Sequence, residues 1–210
     1  MSFLRRLGDK PWLQQGPLDG DSAAEALPLP NAKLGLWIFL AVVTSLFGLF
    51  LSAFMMRMQL PDCRPLDLPL IVWINTLILL LASAGMQYAR TAATEGRLDA
   101  TRIGFAVGGV FAIMFLIGQL LAWQQLKPIE SFTATNPALA FFYLLTAVHG
   151  LHLAGGLYVW ATTSAKVTAG LKSRDLRDIA AVRLSIELCT VYWHYLLLLW
   201  LVIFAFLLKR

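Results

Sequence analysis

Five apolar runs, each long enough to cross a bilayer as a helix, constrain this chain more than any other feature. A helix rises about 1.5 Å per residue, so roughly 20 apolar residues cover the ~30 Å hydrocarbon layer. The runs are 34–56, 68–89, 103–126, 137–161 and 184–208. Within them the carboxylates and imidazoles come to Glu187, His149, His152 and His194. Strands of a membrane barrel would alternate apolar and polar residues with period two, and these runs do not. The expectation is an all-α integral membrane bundle of five transmembrane helices over 34–208, preceded by a polar tail over 1–33.

Composition agrees. The chain is 59% hydrophobic and 14% charged, against about 45–50% and about 25% in soluble domains. That excludes a water-soluble globule, a disordered chain, a disulfide-rich module and a nucleic-acid binder. Two cysteines, Cys63 and Cys189, make no disulfide framework. Residues 1–33 show no apolar core of a signal peptide, and the run that begins at Leu34 is too long to be one. The start of the tail, with Phe3, Leu4, Leu7, Trp12 and Leu13 among Arg5, Arg6 and Lys10, reads either as an interfacial amphipathic segment or as an ordinary tail.

The net charge of +5 records topology rather than a polyanionic partner. Twelve of the 17 Lys and Arg fall in the tail, in the linker after the second run and in the linker after the fourth. The remaining five (Arg57, Arg64, Lys127, Lys209 and Arg210) fall on the opposite side. By the positive-inside rule the N-terminus is cytoplasmic and the C-terminus outside. Small-residue stripes mark helix contacts: Gly104, Gly108 and Ala112; Gly48 and Ser52; Ala147, Gly150 and Ala154. They suit packing within the bundle or docking on a partner's helices.

Ionisable groups inside a membrane are costly and therefore informative. His149 and His152, three apart, share a face of the fourth helix. Glu187 and His194, seven apart, share a face of the fifth, with Thr190 between them. Consecutive antiparallel helices could bring the two faces together. Three readings stay open at this point. The groups could hydrogen-bond between helices and pin the bundle. The three imidazoles, with or without the carboxylate, could hold a metal, as in a small membrane metalloenzyme. The same groups could handle protons, although the first three helices offer only Ser45, Asn75, Thr76, Ser83 and Gln119 as polar stations. No strand-to-helix glycine loop, nucleophile triad or CxxCH haem attachment is present.

These residues carry a resemblance. The fourth run reads FFYLLTAVHGLHLAGGLYVW over Phe141–Trp160, and the fifth reads IELCTVYWHYLLLLW over Ile186–Trp200. They resemble the F-x-x-T-x-x-HGLH-x-x-x-G and E-x-x-x-x-YWHF-x-D-x-x-W signatures of subunit III of the haem–copper respiratory oxidases. WINTLILLLASAG (Trp73–Gly85), FLIGQLLAWQQL (Phe115–Leu126) and LGLWIFLA (Leu34–Ala41) are similar to that family's further segments, in the same order.

The resemblance implies the five-helix form of a subunit without a redox centre. Such a subunit sits beside subunits I and II, with haem and copper in the partner. It stabilises the catalytic subunit, binds phospholipid and supports proton uptake. The complex implied is a cytochrome c oxidase, or else a quinol oxidase or nitric oxide reductase assembly. The membrane implied is the bacterial inner membrane, or else that of mitochondria. His149, His152, Glu187, Tyr192, Trp193 and His194 match the family motifs and form the expected polar core. No catalytic or metal-ligating residue is expected in this chain. From charge alone, Arg174, Arg177 and Arg183 are candidates for lipid phosphates, set against the plain positive-inside bias. Two positions depart from the family: its helix-one carboxylate segment reads Leu40-Ala41-Val42-Val43 here, and the Asp after YWHF is Leu197.

Overall fold

The computed structural model describes residues 31–60, 68–130, 137–170 and 176–208, the side chains of 127–130, 169–170 and 176–180 excepted. Among the described residues there are five helices and no strand. They are α1 (Asn31–Arg57), α2 (Leu70–Thr94), α3 (Leu98–Glu130), α4 (Pro137–Gly170) and α5 (Leu176–Leu208). All five are long and apolar enough to cross a membrane. The chain divides into a unit through Phe39, described over the first residues of α1, and a unit from Leu40 onward. The packing below is that of the second unit.

The helices outrun the apolar runs that predicted them. The linkers expected over 90–102 and 162–183 are largely helical, because α2 continues to Thr94, α3 begins at Leu98, α4 reaches Gly170 and α5 starts at Leu176. An apolar run marks where lipid contact ends, whereas a helix ends where its hydrogen-bond ladder is capped. Between α2 and α3 that cap is a Schellman motif. Gly96, at φ +77°, takes the left-handed conformation that suits glycine. Arg97 N donates to Ala92 O at 2.9 Å and Gly96 N to Ala93 O at 3.3 Å. Arg97 Nε also bonds Glu95 Oε2 at 2.6 Å, and this bond with the Glu95 charge raises the Arg97 pKa. The pair is exposed and adds little stability.

The tight turn makes α2 and α3 an antiparallel hairpin with touching backbones. A Cβ on Gly104 would lie 2.8 Å from Ala89 N, and one on Gly85 would lie 3.0 Å from Gly108 N. Glycine here supplies room rather than flexibility. Helices in lipid gain no hydrophobic driving force from associating, so close packing must supply the attraction. The stripe Gly104, Gly108 and Ala112 thus packs within the chain, with Ala112 fully buried. The other two stripes differ. Gly48 has nothing within 4 Å of its Cβ position, and Ser52, Ala147 and Ala154 are exposed.

Antiparallel pairing recurs along the bundle. Trp160 Nε1 reaches from α4 to Phe105 O of α3 at 2.8 Å, and Trp123 Nε1 reaches from α3 to Thr146 Oγ1 of α4 at 3.0 Å. Trp200 Nε1 on α5 donates to Thr76 Oγ1 on α2 at 3.0 Å. From Leu40, α1 buries the seam Leu40, Val43, Phe47, Leu51 and Phe54, at the 3- and 4-residue spacing of a helix face. It meets α4 through Phe54 against Phe141, with ring centroids 5.5 Å apart. The core centres on Phe115, Phe142, Trp193 and Trp200, each at most 1% exposed.

Candidate functional site

The signature residues of α4 and α5 are built into four different contacts. His149 is wholly buried. Its ring lies between Phe115 of α3, at 5.8 Å and edge-on, and Trp200 of α5, at 5.2 Å. Neither of its ring nitrogens has a hydrogen-bond partner. Three residues on, His152 turns toward α1, its ring 5.6 Å from that of Phe47. Its Nδ1 lies 2.7 Å from Val148 O. A carbonyl only accepts, so Nδ1 carries the proton there.

On α5, His194 faces α2. Its Nε2 lies 3.0 Å from Gln87 Oε1 and its Nδ1 lies 2.5 Å from Ser83 Oγ. An amide oxygen accepts, which puts the proton on Nε2 and leaves Nδ1 to accept from the Ser83 hydroxyl. Two turns earlier, Glu187 Oε1 pairs with Arg90 Nη2 of α2 at 3.8 Å. Both side chains keep about a third of their surface open (34% and 38%), so the pair is weak by itself. Thr190, between them, is buried and bonds Ile186 O at 2.9 Å and Met86 O of α2 at 3.4 Å. Tyr192 joins α5 to α4, its hydroxyl donating to His152 O at 2.9 Å. Trp193 is buried, and its Nε1 has no hydrogen-bond partner.

The polar faces of α4 and α5 therefore meet through a tyrosine and a backbone carbonyl, not through a cluster of imidazoles. His149, His152 and His194 serve three different neighbourhoods. Among the described residues no three His, Cys, Asp or Glu side chains come close enough to hold a metal ion. Arg183 is exposed near the start of the span. Arg174 and the side chain of Arg177 lie outside the described residues. Val43, where the family carries a carboxylate, is 2% exposed in the α1 seam, and Leu197 is half-buried.

Sequence reasoning missed the contribution of α2. Ser83, Gln87 and Arg90 stand at i, i+4 and i+7, one helix face, and match Glu187 and His194 across the seam. The spacing was legible, but Gln87 and Arg90 sat near the end of a run and read as linker. A second buried layer joins Asn75 Nδ2 of α2 to Gln119 Oε1 of α3 at 3.5 Å. There Asn75 Oδ1 and Gln119 Nε2 have no hydrogen-bond partner.

Comparison with known proteins gives a consistent match. The family model described as cytochrome c oxidase subunit III matches residues 33–209. A cytochrome c oxidase subunit 3 of Synechocystis is 27% identical over 182 residues, covering 83% of this chain and 74% of that protein. A probable cytochrome c oxidase subunit 3 of Mycobacterium leprae is 26% identical over 190 residues, 88% of this chain and 91% of that protein. A cytochrome bo(3) ubiquinol oxidase subunit 3 of Buchnera aphidicola is 24% identical over 178 residues, 82% and 83% respectively. With the match running through all five helices, this multi-pass membrane chain belongs to the cytochrome c oxidase subunit III family.

Proposed function

We propose that the chain is the non-catalytic subunit III of a haem–copper terminal oxidase, most simply a cytochrome c oxidase, in the inner membrane of a bacterium. It stabilises the catalytic subunit I, adjoins subunit II, binds phospholipid and supports proton uptake, while haem and copper reside in the partner. The observation that carries this reading is the use made of the signature residues. Tyr192 locks α5 to α4, His194 locks α5 to α2, and His149 is sealed in aromatic rings. These groups bind helices to one another, as a supporting subunit requires. The geometry lends no support to a metalloenzyme using His149, His152 and His194.

The N-terminus is cytoplasmic and the C-terminus outside in this reading, supported by the distribution of Lys and Arg. His149, His152, Glu187, Tyr192, Trp193 and His194 form the structural polar core. Arg174, Arg177 and Arg183, on the cytoplasmic side, meet lipid phosphates. The likeness to a quinol oxidase subunit favours a second reading, the same role in a quinol-oxidising complex. An equivalent place in a nitric oxide reductase assembly has no separate observation in its favour.

The test is mild solubilisation of the native membrane and capture by a tag on the N-terminus. Haem bands and a larger catalytic subunit in the captured material are expected, and the electron-donor assay then separates cytochrome c from quinol. A lone, haem-free chain under conditions that preserve other respiratory complexes overturns the reading. Equal lipid phosphorus in the parent and an Arg183→Ala variant removes Arg183 from the lipid role.

A further inference from the structure

The seam of α5 with α1 and α2 carries polar side chains that face outward at a depth where the surroundings are apolar. Ser83 and His194 each sit seven residues, about 10 Å of helix, inboard of the Arg90–Glu187 pair. At that level α5 sends His194 to α2 and the adjacent Tyr195 to α1, where its hydroxyl lies 2.9 Å from Thr44 Oγ1. The His194–Gln87 and Tyr195–Thr44 bonds both lie on the open surface of the chain. Gln87 is exposed, and its amide nitrogen donates to no group of this chain. The Arg90 guanidinium, with five N–H donors, has one partner at 3.8 Å.

Polar and ionisable groups within a membrane almost always face protein or a water-filled cavity, because hydrocarbon offers their donors nothing. Here a row drawn from three helices faces outward with an excess of donors. Lipid phosphates and esters can reach Arg90, but the Thr44–Tyr195 and Ser83–His194 level lies about 10 Å further in.

We propose that this face, Thr44 and Tyr195 through His194 and Gln87 to Arg90, is a docking surface for a transmembrane helix of another subunit. That helix presents hydrogen-bond acceptors, a side-chain oxygen opposite Gln87 above all. The inference rests on the reading of the chain as a subunit of a larger complex, and it assigns the face that does the joining.

Photo-cross-linking in native membranes tests it. A benzoylphenylalanine replaces Ala84, exposed on α2 three residues before Gln87, and the adducts are identified by mass spectrometry. The expected product is an adduct with a transmembrane segment of a different chain, carrying a side-chain oxygen within one turn. Gln87→Leu in the same background should lower its yield roughly 3- to 20-fold, the range for interhelical polar contacts in membranes. Where Gln87→Leu lowers the amount of folded chain, Tyr195→Phe probes the same row and should lower the yield in the same sense.

Lipid adducts alone, an adduct with a second copy of this chain, or a protein adduct indifferent to both substitutions overturns the inference. Capture of a haem-bearing complex with lipid-only adducts at Ala84 defeats this proposal and leaves the subunit reading intact. Absence of any complex defeats that reading and this one together.

Discussion

Two glycine-to-alanine changes of identical chemistry should move stability in opposite directions. At Gly104 the new methyl would stand 2.8 Å from Ala89 N and 3.0 Å from Ala89 Cα, both backbone. Nothing flexible can yield there except Tyr88, whose Cδ1 lies 2.9 Å away. Restoring ordinary contact of about 3.4 Å or more means parting α2 from α3 by roughly half an ångström. A gap of that size forfeits about a quarter of each pairwise attraction along the seam. Overpacking of this kind costs about 1–3 kcal/mol, while alanine returns at most about 1 kcal/mol of helix propensity. The net expectation for Gly104→Ala is a loss of about 1–2 kcal/mol. Gly48→Ala meets nothing within 4 Å and should be neutral or stabilising by up to about 1 kcal/mol.

Thermal unfolding with a thiol-reactive dye reads the difference, because Cys189 is buried and reacts only when the bundle opens. A Cys63→Ser background removes the other thiol. Equal shifts of the same sign at Gly104 and Gly48 would refute the close backbone approach of α2 and α3.

Three further outcomes follow from named contacts. His149→Phe should leave the melting temperature unchanged or raised, since the imidazole nitrogens make no hydrogen bond among the surrounding rings; a loss above about 2 kcal/mol would show that they do. Ser83→Ala should cost about 1 kcal/mol by taking the donor from His194 Nδ1, and the 15N signal of that nitrogen should move toward that of a free acceptor; an unmoved signal would contradict the assigned tautomer. Trp200→Phe should cost about 1–3 kcal/mol in the same melting assay, through the lost bond to Thr76 and the shrunken ring against Phe115 and His149; an unchanged melting temperature would speak against that bond.

The membrane class of the fold and the family were legible in the residues alone. A hydrocarbon layer about 30 Å thick imposes a run length that composition cannot hide, and the five runs at 34–208 carry it. The HGLH of α4 and the YWH of α5 marked where polar groups enter the membrane. Helix ends were less legible: the apolar run around Trp73 and Asn75 stopped at Ala89, while hydrogen bonding carries α2 on to Thr94 and the Gly96 cap.

The partners of the signature residues were decided only by tertiary structure. Spacing puts His149 and His152 on one face, yet a turn of helix less than complete sends one ring among Phe115 and Trp200 and the other to Phe47. Spacing says nothing of what stands opposite. The angular offset between neighbouring helices settles that, and it gave His194 to Ser83 and Gln87 of α2 rather than to the histidines of α4. Sequence determined how many times this chain crosses the membrane and which polar groups go in with it. Packing determined which of them meet, because in lipid the choice of neighbour follows from how closely backbones can approach, and that depends on glycines and rings facing across helices.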